Sequence, residues 1–142
     1  MSVIPPFKAD GLLPPGDYEA SFEELRSSIL ALGPAPGERS TWDARGRLWL
    51  IDNLEILARQ LWQVGVHDIF ADGSFAEEKD HPNDIDGYFV CSLDELKSGE
   101  RTRRLNLLDP YKVWTWDPAS RRPYRGYPKK QLPMWHRYRV PR

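Results

Sequence analysis

Residues 69–90 read IFADGSFAEEKDHPNDIDGYFV, and the other residues are best understood outward from this segment. It opens on an apolar run, breaks at Gly73-Ser74, crosses a polar loop and returns through Asp84-Ile85-Asp86 into Gly87-Tyr88-Phe89-Val90. Residues 66–70 and 84–91 are short and rich in β-branched and aromatic side chains, which predicts a strand at each. Side chains alternate along a strand, so Asp84 and Asp86 share one face and Ile85 points the other way, into a core. Two carboxylates on one face repel each other unless something positive lies between them. Mg²⁺ suits that position, because this hard cation takes oxygen ligands through one or two carboxylates plus substrate phosphates. Gly73-Ser74 supplies the complement: a glycine turn lets backbone N–H groups approach a phosphate, and a serine hydroxyl can bond to it. An ordinary hairpin with a solvated acidic face is the simpler alternative for the same residues.

Gly73-Ser74, a nine-residue spacer and Asp84-Ile85-Asp86 together resemble the signature of the nucleotidyltransferase fold. This is the DNA polymerase beta superfamily, and the likeness is to its minimal bacterial members. It extends over residues 42–117 and is sharp over 72–90. The resemblance implies an α/β (α+β) domain with a small mixed β-sheet flanked on one side by a long helix. It also implies roles for the residues. Asp84 and Asp86 would be catalytic and hold Mg²⁺, and Gly73 and Ser74 would hold the triphosphate of a nucleoside triphosphate. Family members often carry Arg or Lys soon after Gly-Ser, where this chain has Phe75. The segment Gly11-Leu12-Leu13-Pro14-Pro15-Gly16 also resembles the opening of a family of uncharacterised bacterial proteins with such a domain.

Length and composition are those of one domain, residues 1–142, with a real core. Charged residues make up 29% and apolar residues 40%, which is ordinary for a globular protein. A single cysteine, Cys91, excludes an intrachain disulfide and a Cys/His zinc cluster, and reads as a small buried residue. No apolar run is long enough for a membrane span, and Met1 does not open a signal peptide. The expectation is a cytoplasmic protein without a membrane partner. The net charge of −1 hides a division. Residues 1–100 hold 8 Lys+Arg against 19 Asp+Glu, whereas residues 101–142 hold 12 against 2. Such asymmetry points to a positive face that meets phosphates, nucleic acid or an acidic partner.

Local signals place the remaining elements. Residues 1–16 carry Pro5, Pro6, Pro14 and Pro15 and predict an extended arm lying along the body. Ser21-Phe22-Glu23-Glu24 is a capping box that opens a helix to about Leu32, with Phe22, Leu25, Ile29 and Leu32 on one face. Thr41 is the expected cap of a long helix over 42–64, ended by Gly65. Trp42, Leu50, Leu54, Leu57, Leu61 and Val64 are its apolar face, flanked by Trp49, Ile51 and Trp62; Arg45, Arg47 and Arg59 are expected in solvent. Glu77, Glu78, Lys79, Asp80 and His81 read as an exposed loop. Ser92-Leu93-Asp94-Glu95 is a second capping box, and Gly99 interrupts the helix it starts.

Residues 111–117 alternate as a third strand, residues 118–134 form a basic loop, and 135–140 are a last strand-like run. In this superfamily a third carboxylate on a later strand usually completes the site; Asp117 is one candidate, and the alternatives are that Asp117-Pro118 is a plain turn and that the site has two carboxylates. Arg121 and Arg122 are candidates for gripping phosphate, because a guanidinium can do so in a bidentate way. Trp114, Trp116, Tyr124, Tyr127 and Trp135 offer stacking planes beside them. The leading expectation is Mg²⁺-dependent transfer of a nucleoside monophosphate to a hydroxyl on RNA, a protein or a small molecule. Minimal members of the superfamily often serve in toxin–antitoxin or defence systems, which implies an antitoxin-like partner. The rival is a catalytically inactive module of the same fold that binds nucleotide, RNA or a protein. A third reading is a nucleic-acid-binding protein that acts through its basic tail.

Overall fold

Asp43 starts the longest element. Its side-chain Oδ1 accepts from the Gly46 N–H at 2.9 Å and its carbonyl accepts from Arg47 N–H at 3.0 Å. This is an N-cap, and it satisfies a donor that the first helical turn leaves over. The cap is therefore Asp43 and not Thr41, and the helix is shorter than expected, Ala44–Gln63 (α3). It ends in a Schellman pattern: Val66 N–H reaches Leu61 C=O at 3.0 Å and Gly65 N–H reaches Trp62 C=O at 3.0 Å. Val66 and Leu61 then meet in one core cluster, the apolar contact that usually accompanies this motif.

The computed structural model describes residues 3–34 and 41–109. The expected third strand, the basic loop and the last strand-like run lie outside them. The described residues form an α+β arrangement. In order they are α1 (Phe22–Arg26), α2 (Ile29–Leu32), α3, β1 (Ile69–Asp72), a 3₁₀ turn (Gly73–Ala76), β2 (Asp86–Phe89), α4 (Leu93–Ser98) and α5 (Glu100–Leu108). β1 and β2 pair as a two-stranded antiparallel sheet. Among the described residues no helix is long and apolar enough to cross a membrane.

Several boundaries differ from expectation for local reasons. The Ser21 capping box forms in full, with Ser21 and Glu24 exchanging side-chain to backbone bonds of 3.0 and 3.1 Å. The single helix to Leu32 does not, because Ser28 interrupts it. Its hydroxyl donates to Leu25 C=O at 2.7 Å and accepts from Leu30 N–H at 3.2 Å, so it caps a new helix. β1 begins at Ile69 and runs through Asp72, later than the predicted 66–70, because Val66 is occupied closing the Schellman motif. β2 likewise contracts to Asp86–Phe89. Ser92 caps α4, and Gly99 divides α4 from α5 as the sequence predicts. Cys91 is half-buried, and so is Asp80, which was expected in solvent.

The described residues divide into two compact units. One holds 3–34, 41–55 and 70–88. Its core is Ile4, Leu30, Ala31, Leu50, Ile51 and Phe75, with Phe7, Leu13 and Ile85 packed against it. Ile51, expected at the flank of α3, is thus fully buried. The N-terminal arm is bound to the loop that follows the 3₁₀ turn. Leu12 forms an antiparallel bridge with Glu77, and Glu78 N–H donates to Gly11 C=O at 2.8 Å. The second unit holds 56–69 and 89–109, and its core is Leu61, Val64, Val66 and Leu105.

Candidate functional site

The Gly73 turn and the Asp86 carboxylate come together in the first unit. Gly73 has φ +79°, a left-handed conformation that other residues adopt at a cost. A Cβ built on it would lie 2.3 Å from Asp86 Oδ2 and 3.0 Å from Asp86 Cγ. A side chain here would have to push that carboxylate aside. Ile85 packs against the core while Asp84 and Asp86 on either side of it are exposed, so both carboxylates point away from the core. The Gly-Ser turn and the second Asp of the sequence pattern are therefore neighbours in space as well as in the motif.

The turn is held from behind by two side chains. Phe75 is 1% exposed and lies in the core of the first unit. Burying a side chain of that size stabilises by about 2–3 kcal/mol. It thus anchors the turn at the position where Arg or Lys was the expected neighbour. The second is Arg47, which is fully buried and not in solvent as the sequence reading had it. Its Nη1 donates to Leu30 and Phe75 carbonyls, both at 2.7 Å. Its Nη2 donates to Glu77 at 2.9 Å and Lys79 at 2.6 Å. The guanidinium also lies over the Trp42 ring at 4.1 Å. One planar fork therefore gathers three carbonyls of the loop that runs from the turn. Burial pulls the Arg47 pKa down to about 10, against the attraction of Asp43 and Asp80, so the group stays charged at neutral pH.

The strands bring aromatic rings to the same place. Phe70 and Tyr88 stack with centroids 4.8 Å apart and planes 13° from parallel. Val90 N–H donates to Asp68 C=O at 3.0 Å. The register these contacts define places Asp72 across from Asp86. Like charges in that relation are destabilising. A Cβ on Gly87 would lie 2.8 Å from the Phe70 carbonyl oxygen, so residue 87 must also be glycine for the strands to approach this closely.

Asp84 and Asp86 could hold a divalent cation, and Ser74, half-buried in the turn, could bond a phosphate. Among the described residues no group of three or more His, Cys, Asp or Glu is arranged to hold a metal ion. Two exposed carboxylates fit a cation that arrives with phosphate ligands better than a resident ion with an all-protein cage. Asp117, Arg121 and Arg122 lie outside the described residues. Sequence reasoning missed Arg47 and Asp72. Asp72 carries a signal in its place directly before Gly73. Arg47 carries one in its i, i+3, i+4 spacing with Leu50 and Ile51, which puts it on the buried face of α3.

A family model matches residues 5–141, nearly the whole chain. This chain belongs to the family of unknown function DUF6932. The match takes in the Gly73 turn, both Asp residues and the basic segment. No curated protein and no solved structure matches the chain.

Proposed function

We propose that the Gly73 turn and the Asp84/Asp86 pair form the nucleotide site of a Mg²⁺-dependent enzyme with a nucleotidyltransferase-like fold. The observation that carries this reading is the packing of the Asp86 carboxylate against the bare α-carbon of Gly73. A glycine turn beside a carboxylate supports the reading, because a metal-bound triphosphate needs backbone N–H donors next to a cation ligand. Asp84 and Asp86 hold the cation, and Ser74 donates its hydroxyl to a phosphate oxygen. Mg²⁺, when bound, offsets phosphate charge and lowers the pKa of the attacking hydroxyl. The acceptor hydroxyl oxygen bonds to the α-phosphorus, the bond from that phosphorus to the bridging oxygen breaks, and pyrophosphate leaves. The hydroxyl proton passes to solvent. The acceptor is an RNA end, a protein side chain or a small molecule. Asp117 serves as third carboxylate, and Arg121 and Arg122 grip the phosphates.

One observation favours a second reading, a module that binds nucleotide or a partner without chemistry. Phe75 lies in the core, so the position after Gly-Ser brings no positive charge to the phosphates.

Calorimetric titration of ATP, GTP, CTP and UTP tests both readings, with Mg²⁺ and with EDTA, on wild type and on the Asp84→Ala/Asp86→Ala variant. The site predicts binding that needs both Mg²⁺ and the Asp pair, in a variant that melts like wild type. Transfer of an α-phosphate label to cell RNA or protein separates the enzyme from the module. Failure of every nucleotide to bind overturns the enzyme and leaves only a module that binds a protein or RNA partner.

A further inference from the structure

Tyr88 is 55% exposed although it stacks on Phe70, so one of its faces is covered and the rest of the ring meets solvent. Phe70, half-buried, fixes the plane of Tyr88 to within 13° of its own. Gly87 permits this by letting the strand backbone come close to the Phe70 carbonyl. Tyr88 also stands two residues after Asp86 on the same strand, and alternation puts the two side chains on one face, roughly 7 Å apart along it. A nucleotide spaces its base from its α-phosphate by one sugar, a distance of the same order.

We infer that Tyr88, held flat by Phe70, is the stacking platform for the base of the bound nucleotide. This rests on the nucleotide site proposed above and gives that site its selectivity for a nucleoside over bare phosphate. Stacking is tolerant of base identity because every base has a π face, so the platform takes all four bases and favours the larger purines. The phenol hydroxyl has no part in it. The stack with Phe70 leaves the ring pre-ordered, so little side-chain freedom is lost on binding.

The test compares Mg²⁺-ATP, Mg²⁺-CTP and Mg²⁺-tripolyphosphate on the full chain by calorimetry. Wild type is expected to bind ATP about tenfold or more tightly than tripolyphosphate, with CTP between them. Tyr88→Val, which keeps a residue of high strand propensity at this position, is expected to lose that advantage and leave tripolyphosphate binding unchanged. Tyr88→Phe is expected to retain it. Equal affinity of wild type for ATP and tripolyphosphate overturns the inference while leaving the phosphate site standing. An equal loss of both ligands in Tyr88→Val also overturns it, since the ring would then only support the sheet. If neither ligand binds wild type, the nucleotide site itself falls, and the platform with it.

Discussion

The carboxylate of Asp86 rests against the α-carbon of Gly73, at a distance where an added methyl group would come within 2.3 Å of Oδ2. Thirteen positions apart in the chain, these residues meet because β1 and β2 pair and Gly73 directly follows β1, which ends at Asp72.

Gly73→Ala tests this relationship. The substitution forces a side chain into left-handed backbone, at about 1–2 kcal/mol, and drives Asp86 out of place. Thermal melting should show a loss of that order, and Mg²⁺-nucleotide binding should fall well beyond what the stability change explains. Unchanged binding would separate Gly73 from the site.

Arg47→Met should be among the most damaging single changes in the first unit. It leaves the carbonyls of Leu30, Phe75, Glu77 and Lys79 without their shared donor in a dry setting. Breaking a buried charged network of this kind costs about 3–5 kcal/mol. A fall in melting temperature of about 10 °C or more is expected. Arg47→Lys should recover only part of it, because a single ammonium cannot span four carbonyls as a planar fork does.

Gly87→Ala should weaken the β1–β2 pairing by about 1–3 kcal/mol, the usual cost of overpacking, because the new methyl meets backbone that cannot rotate aside. Urea unfolding gives the magnitude. Hydrogen exchange at the Val90 amide, which donates to Asp68, should quicken.

Acid stability has a local component in α5. The Arg103 side-chain hydrogen bond holds the Glu100 carboxyl below its ordinary 4.5. A carboxylate whose folded pKa is depressed stabilises above its unfolded pKa and loses that contribution as pH falls through the folded value. Asp10, held down by the Leu12 N–H, behaves the same way from 3.8. Both are fully exposed, so the effect is small and screened by salt. Melting of wild type and Glu100→Gln should differ slightly at pH 7 and converge as the pH falls from the ordinary 4.5 through the depressed folded value.

Signals confined to one turn of chain were legible. Ser21 with Glu24, Ser92 with Glu95, and Gly65 after the α3 periodicity all act through bonds within a few residues of themselves. Ile85 facing inward between two outward Asp residues follows from the alternation of a strand. The places where reading failed involve distant partners or competing neighbours. Asp43 displaced Thr41 as the cap of α3, and it also pairs with His81 at 3.4 Å, far along the chain. Ser28 could cap a second helix because its own hydroxyl competes with the helical backbone.

The sequence by itself determined the starts of α1 and α4, the stop of α3 at Gly65, the break at Gly99 and the Gly-Ser to Asp-x-Asp spacing, since each depends on covalent neighbours and backbone sterics. Only the tertiary structure decided that Arg47 is a buried clamp, that Phe75 is an anchor and that Gly73 must make room for Asp86. The carbonyls that accept from Arg47 lie 17 to 32 residues away from it. A charge can leave water only where enough acceptors converge on it, and that convergence exists only once the chain has folded.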